Sequence, residues 1–228
     1  MTHDVIAWFR DPDHWRGAGG VPTLLGQHAL LTLVSMVLAT AVGLPLALWL
    51  GHRRRGGTFA VNLTNVGRAI PIVALLSVLS LGLFGTAELG PFGRSGLATL
   101  VTLALFALPP IVTNTYTGMT EVDADVVEAA RGMGMGELEL LRRVELPLAM
   151  PLIVSGIRLA VVQVWATATI AALVAGPGLG RIIVHGYESF QTAEVVAGSL
   201  IVAVVALFLE LTLALVQKLM DPLPAGSR

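Results

Sequence analysis

The sequence predicts an all-α integral membrane protein with five transmembrane helices, and two observations carry that prediction. Its 228 residues are 55% hydrophobic and 13% charged, with a mean hydropathy of +0.80, whereas roughly 25% of the residues in a typical soluble domain are charged. The apolar residues also fall in blocks long enough to cross a bilayer core of about 30 Å, which takes roughly 20 helical residues. A soluble globular protein is therefore excluded.

Five apolar blocks are predicted to be the spans, at residues 24–50, 59–83, 95–119, 148–175 and 192–219. Prolines interrupt the first four blocks, and each internal proline removes a backbone hydrogen bond, which a membrane tolerates where protein or water satisfies the freed carbonyl. The first block also carries a stripe of small residues at every fourth position: Ser35, Ala39, Gly43, Ala47 and Gly51. Such a stripe favours close approach of a second helix.

Charged residues inside the spans are Arg68, Arg158 and, in the fifth span, Glu210, with Glu194 and Lys218 nearer its ends. An arginine or aspartate at a helix centre costs about 2.5–3.5 kcal/mol on insertion scales. We therefore predict that Arg158 and Glu210 are neighbours that form an ion pair. A gate or substrate contact is the alternative use of these charges.

The orientation follows from the Lys and Arg residues between the spans, because cytoplasmic loops retain positive charge. One side would carry Arg53, Arg54, Arg55, Arg131, Arg142, Arg143, Lys218 and Arg228, and the other only Arg10, Arg16, Arg94 and Arg181. The N-terminus is thus predicted outside and the C-terminus inside. The chain divides into an extracytoplasmic or interfacial segment at 1–23, a transmembrane domain at 24–219 and a cytoplasmic tail at 220–228.

The sequence lacks the residues that several other classes of function require. The chain has no cysteine, so disulfides and thiolate metal sites are excluded. The five histidines are dispersed, and no metal site is expected. No nucleophile elbow and no phosphate-binding loop of the GxxxxGK[ST] type is present, so this chain is not expected to hydrolyse ATP by that route. A net charge of −1 gives no reason to expect nucleic acid as a partner.

The most informative stretch is the hydrophilic loop at residues 120–147, which we name the coupling loop. Apolar residues recur there at helical spacing and predict a short amphipathic helix; they are Val122, Val126, Ala129, Ala130 and Met133. Gly134 and Gly136 interrupt it, and a second short helix over 137–146 is predicted to end at Pro147. In that helix Glu139 is spaced to pair with Arg142 and Arg143. Helices this short need a surface to dock on.

The coupling loop resembles the EAA loop of bacterial ABC importer permeases, whose pattern is E-A-A, three residues, G, nine residues, I-x-L-P. The matching residues are Glu128, Ala129, Ala130, Gly134, Leu146 and Pro147, with Val144 in place of isoleucine. In that family the loop forms coupling helices that sit in a groove of the ATP-binding subunit. The resemblance therefore implies an ATPase-coupling role for these residues and for Arg131.

The resemblance extends over about residues 24–219 and is closest to permeases for the osmoprotectants glycine betaine, carnitine and choline. The segments that carry it are 108–118, 128–135 and 176–180, and more weakly 67–71. Arg68 stands where many members have glutamine, and Trp165 where a small residue is expected. The resemblance implies a MetI-like type I ABC importer bundle in the bacterial plasma membrane, a multi-pass chain with N-terminus outside.

The same resemblance implies the partners. They are two copies of an ATP-binding subunit that binds ATP and Mg, a second permease that is identical or homologous, an extracytoplasmic substrate-binding protein, and membrane lipid. This chain is expected to be a non-catalytic subunit that itself holds no cofactor. A permease for methionine or another small solute is the alternative within the class; an autonomous channel or ion-coupled carrier is the alternative outside it.

Uncharged polar and aromatic residues in the third and fourth spans are candidates for the translocation pathway. They are Asn114, Tyr116, Gln163, Trp165, Thr167 and Thr169. Buried Thr and Asn side chains also satisfy kinked backbone, and the sequence leaves both uses open.

Overall fold

The computed structural model describes residues 2–57, 62, 66–67, 69–85 and 87–220, most of which are helical. The helices in chain order are α1 (Thr2–Arg10), α2 (Val21–His52), α3 (Ile72–Val78), α4 (Gly96–Thr120), α5 (Ala124–Gly132), α6 (Glu137–Val174), α7 (Gly180–Glu188) and α8 (Thr192–Met220). A π turn at Leu79–Leu83 extends α3, and short 3-10 segments lie at Pro12–Trp15 and Gly90–Phe92.

Four of these helices, α2, α4, α6 and α8, are long and apolar enough to cross a membrane. They correspond to the first, third, fourth and fifth predicted spans. The second prediction, 59–83, falls partly outside the described residues, and its described part contains only a shorter apolar helix, Ile72–Gly82. The all-α membrane fold is confirmed, whereas the count of five spans is not.

The stripe of small residues on α2 is the surface on which α4 packs, as predicted. All five of its members are buried. A Cβ atom at Gly43 would lie 2.9 Å from Cδ2 of Leu108, and one at Gly51 would overlap Cβ of Met119. The absence of side chains at these positions therefore lets the two helix backbones approach directly.

The main core lies between α2, α4 and α6, and includes Leu31, Leu103, Ile111 and Val164. A second apolar cluster joins α1, α7 and α8 to the start of α2, around Trp8, Leu24, Leu179 and Ala197. Because only 6% of the most apolar window of α8 is buried within the chain, this helix lies at the outside of the bundle and leaves an apolar surface uncovered.

The predicted helix end at Pro147 is wrong, because α6 runs without a break from the coupling loop into the membrane. It begins as α-helix at Glu137–Leu140, passes through a π turn at Leu141–Glu145 and continues as α-helix at Leu146–Thr167 and as 3-10 helix to Val174. The N–H of Leu146 bonds the carbonyl of Leu141, five residues back. This wider turn immediately precedes Pro147, whose missing N–H would interrupt a regular α-helical ladder.

Candidate functional site

The coupling loop folds into α5, a glycine turn and the first turns of α6. Asp123 caps α5, since its Oδ1 accepts a hydrogen bond of 2.8 Å from the backbone N–H of Asp125. Gly134 then adopts φ +87°, a conformation that L residues rarely take, and Gly136 returns the backbone to an extended conformation. The chain can therefore reverse direction between the two helices.

The predicted short amphipathic helix forms as α5, and its apolar residues divide into a buried part and an exposed part. Val127 and Ala130 are buried with Val122 against Leu140 of α6. Val126, Ala129 and Met133 point outwards, with Val126 43% and Met133 73% exposed. Because α6 folds back over one side of α5, it covers only part of this apolar surface and leaves the rest exposed.

The residues of the EAA-type pattern surround this outward face. Glu128, Ala129, Arg131, Gly134 and Pro147 are exposed, Leu146 is half-buried and Ala130 belongs to the buried side. The guanidinium of Arg131 binds Glu137 in a two-pronged ion pair, with Nε to Oε1 and Nη2 to Oε2 both 3.1 Å. The adjacent carboxylate raises the pKa of Arg131 above its usual range. This pair links α5 to α6 across the turn.

Glu139 was predicted to pair with Arg142 or Arg143, and the structure shows the pair with Arg143. Arg143 Nη1 lies 2.9 Å from Oε1 of Glu139, four residues earlier. The pair is exposed, and exposed pairs of this kind contribute at most about 0.3–0.5 kcal/mol to stability. It is a local feature of the loop surface.

Two of the six pathway candidates, Asn114 and Gln163, face an open groove of about 520 Å³ between α4, α6 and α8. That volume falls within the roughly 300–1,000 Å³ typical of small-molecule sites. Apolar side chains form much of the wall, and Glu210 of α8 is the one carboxylate among its described lining residues. The groove therefore offers a largely apolar surface with one carboxylate, which is also within reach of Arg158 of α6.

Both of these amides also bond backbone carbonyls beside the prolines of α4. Nε2 of Gln163 donates to the carbonyl of Phe106 at 3.2 Å, and Nδ2 of Asn114 donates to that of Pro110 at 2.9 Å. The carbonyl of Phe106 lies four residues before Pro110, so it lacks its normal helical donor. Gln163 therefore satisfies kinked backbone, one of the two uses left open by the sequence, and also lines the groove.

The other four candidates lie elsewhere. Trp165 is 3% exposed and packs with the second apolar cluster, where its Nε1 donates to the carbonyl of Val202 at 3.1 Å. Thr167 and Thr169 donate to carbonyls of their own helix, and Tyr116 packs against Ala47 and Val112. A pathway role for any of the six stays a prediction.

The intramembrane charges Arg158 and Glu210 do meet. Nε of Arg158 lies 3.5 Å from Oε1 of Glu210, and Nη1 of Arg158 donates to Oε1 of Gln217 at 2.8 Å. The predicted pair therefore joins α6 to α8, and Gln217 adds a second bond between the same helices. Arg68, the third charge, lies outside the described residues.

The sequence did not indicate the closest polar contact of the loop. Nδ1 of His52, the last residue of α2, lies 2.5 Å from Oε2 of Glu145, and its Nε2 lies 3.2 Å from Oε2 of Glu137. Glu145 occupies the unspecified position between Val144 and Leu146 of the pattern. Because 93 residues separate the two partners, neither periodicity nor motif spacing in one sequence could have found them.

Comparison with known proteins agrees with this arrangement. Residues 39–224 match the family described as binding-protein-dependent transport system inner membrane component. The chain is 33% identical over 198 residues to the choline transport system permease protein OpuBD of Bacillus subtilis, covering 86% of this chain and 84% of that protein. It is 32% identical over 197 residues to the carnitine transport permease protein OpuCD of Listeria monocytogenes, with the same coverages.

A third relative is the osmoprotectant import permease protein OsmY of Salmonella typhimurium, 34% identical over 201 residues, which cover 87% of this chain and 81% of that protein. These similarities favour the importer over an autonomous channel or ion-coupled carrier.

Solved structures share the fold. An inward-facing MetNI methionine ABC transporter matches with a TM-score of 0.74 at 19% identity, over 92% of this chain and 99% of that chain. An amino acid ABC transporter matches with a TM-score of 0.71 at 18% identity, over 87% and 92%. Permeases of this kind work with an ATPase and a substrate-binding protein. This multi-pass chain belongs to the binding-protein-dependent transport system inner membrane components, the permease subunits of ABC importers.

Proposed function

We propose that this permease imports quaternary-ammonium osmoprotectants such as glycine betaine, choline or carnitine. The observation that carries the proposal is the 32–34% identity to permeases named for choline, carnitine and osmoprotectants over most of the chain. The likeness to a methionine transporter, at 19% identity, bears on the fold alone. The groove beside Glu210 is consistent with such solutes, since a quaternary ammonium group donates no N–H hydrogen bond and is attracted by a carboxylate or an aromatic ring.

Tight recognition belongs in this proposal to the extracytoplasmic binding protein. The permease needs only weak contacts, because a transported solute must be released as readily as it enters. Asn114 and Gln163 suit that requirement, since both are uncharged and partly engaged with backbone. Trp165, Thr167 and Thr169 would act on the pathway indirectly, through contacts that position α6, the helix that carries Gln163.

The assembly contains two permeases, identical or homologous, and two ATP-binding subunits that bind ATP and Mg and carry out hydrolysis. This chain is its non-catalytic membrane subunit. The exposed apolar side of α8, which includes Val204, Leu207 and Phe208, supports contact with lipid or with the second permease. The N-terminus faces outside, and the tail at 220–228, of which residues 221–228 lie outside the described part of the chain, faces the cytoplasm.

The outward face of α5 docks on the ATP-binding subunit. Val126, Ala129 and Met133 supply apolar contact area, and the exposed Glu128 carboxylate supplies an acceptor for charge-assisted hydrogen bonds. Among the described residues no atom lies within 4 Å of the Cβ position at Gly134. The space beside this turn is thus open to a partner.

The test of coupling is copurification of the permease with the ATP-binding subunit, followed by ATPase and uptake assays in reconstituted vesicles. Gly134→Trp should weaken assembly, whereas Gly134→Asn is its control, because asparagine tolerates positive φ without the bulk. Glu128→Ala should leave a complex whose ATP hydrolysis responds poorly to loaded binding protein. Glu121→Ala, an equal charge change outside the pattern, is the matched control. Wild-type transport by Gly134→Trp and Glu128→Ala would disprove the coupling role.

The substrate is tested in the same vesicles with radiolabelled choline, carnitine, glycine betaine and methionine. Uptake of at least one quaternary ammonium compound should require ATP and loaded binding protein. Uptake of methionine alone would show that the substrate is not a quaternary ammonium compound. Uptake without ATP would favour the carrier hypothesis.

A further inference from the structure

His52 is held by two carboxylates at once, at the point where α2 meets the coupling loop. Its side chain is 14% exposed, and its partner Glu145 is 1% exposed. An ionised carboxylate only accepts hydrogen bonds, so both contacts form fully when both ring nitrogens carry a proton. A ring that carries a proton on both nitrogens can therefore donate to Glu145 and Glu137 at once.

The contacts continue beyond His52 into the loop. Glu137 is shared between His52 and Arg131 of α5. Arg54, two residues after His52, donates from Nη2 to the carbonyl of Val122 at 2.7 Å, where the loop begins. The other charged groups that line the space around His52 are Arg53 and Arg55. Three elements, α2, α5 and α6, are thus joined by one chain of polar contacts.

This polar link is distinct from the apolar packing of α5. In the part of the chain that the structure describes, the apolar cluster around Val127 and Leu140 contains no residue of α2. At the same time Gly51, next to His52, lies directly against Met119 of α4. The polar contacts thus link α5 to the end of α2, while Leu141 and Leu146 of α6 share an apolar cluster with Leu44 and Leu48 of α2.

We propose that His52 is a positioning residue for coupling: by binding Glu145 and Glu137 it makes the cytoplasmic end of α2 move with the coupling loop. The inference rests on the proposed docking of that loop on an ATP-binding subunit. It adds His52, which lies outside the EAA-type pattern, to the residues proposed to act in coupling. It also gives a role to Glu145, which the pattern leaves unspecified.

A purely structural role of His52 can be distinguished from a positioning role by comparing stability with transport. His52→Leu leaves Glu145 buried without its partner, which is destabilising, whereas replacing both members of a buried pair by apolar residues is often neutral or stabilising. The double variant His52→Leu/Glu145→Leu should therefore recover the thermal stability lost in His52→Leu. If His52 only supports the fold, the double variant should also recover transport.

The experiment compares wild type, both leucine variants and His52→Lys in the assembled transporter, with solute transported per ATP hydrolysed as the readout. We expect the double variant to copurify with the ATP-binding subunit and keep its unstimulated ATPase rate, yet to lose about fivefold or more of the stimulation by loaded binding protein. His52→Lys keeps a cation with several donors and should restore part of the coupling. Glu139→Gln/Arg143→Gln, which removes an exposed pair on the same helix, is the control and should couple normally.

If the double variant fails to insert, His52→Gln is measured instead, since its single amide nitrogen cannot occupy the positions of both ring nitrogens of His52. Normal coupling in the double variant, or in His52→Gln when that is used, would overturn the inference and leave the proposed function standing. A wild-type chain that neither binds the ATP-binding subunit nor couples its hydrolysis to solute would overturn the proposed function and this inference together.

Discussion

At the scale of single residues, polar side chains within the spans bond backbone carbonyls as well as facing the groove. Gln163 reaches from α6 to the carbonyl of Phe106 that Pro110 leaves without its helical donor. The sequence shows where a proline frees a carbonyl, but not which side chain of another helix lies beside it. For that reason the polar candidates could be listed from the sequence, whereas the carbonyls that they bond could be identified only in three dimensions.

The pairing of Arg158 with Glu210 was predictable, because two opposite charges in apolar spans each need a partner. We expect Arg158→Met to lower the apparent Tm of the purified protein in detergent, since Glu210 then lacks its cation. Adding Glu210→Gln should recover part of the loss, with a coupling energy on the order of 0.5–3 kcal/mol. Strictly additive losses in this double-mutant cycle would show that the 3.5 Å contact does not contribute.

At the scale of elements, two of the long apolar runs were predicted closely, whereas two of the short helices were not predicted. The predicted spans 95–119 and 192–219 differ by one residue at most at each end from α4 and α8, because hydropathy over some 25 residues is a strong signal. The helices α1 and α7 have nine residues each, too few for such a signal. The π turn before Pro147 depends on hydrogen-bond geometry that composition does not encode.

The close α2–α4 contact can be tested with a matched pair of glycine substitutions on α2. Gly26 is exposed, with no described atom within 4 Å of its Cβ position, whereas a Cβ at Gly51 would overlap Met119. Gly26→Ala should leave the Tm unchanged or raise it, since alanine favours helix by about 0.5–1 kcal/mol over glycine. Gly51→Ala should lower the Tm, with an overpacking cost of about 1–3 kcal/mol. Equal effects of the two changes would contradict the close approach.

The continuity of α6 can be tested at its exposed start. Replacing Arg142 and Arg143 together by glycine should reduce transport per ATP, because two glycines weaken the helix by about 1 kcal/mol each relative to alanine. Replacing both by alanine removes the same charges and keeps the helix, so it should retain coupling. Loss of coupling in both variants would assign the effect to charge and not to helix continuity.

At the scale of the whole molecule, the orientation remains a prediction from charge asymmetry. Because the chain has no cysteine, single cysteines can be introduced without background labelling. In intact cells an impermeant thiol reagent should label a cysteine at the exposed Ala87 and spare one at the exposed Gly136. The reverse labelling pattern would place the coupling loop outside and rule out its docking on a cytoplasmic ATPase.

The unbroken α6 also has a mechanical consequence. At about 1.5 Å per residue, its 38 residues form a rod of about 57 Å that joins the glycine turn at Gly134 to the left-handed turn at Ala175. If such a rod pivots near its middle, a tilt of about 10° moves its two ends about 5 Å in opposite directions. A displacement of the coupling loop would thus be accompanied by an opposite displacement at the far end of the same helix, near Ala175.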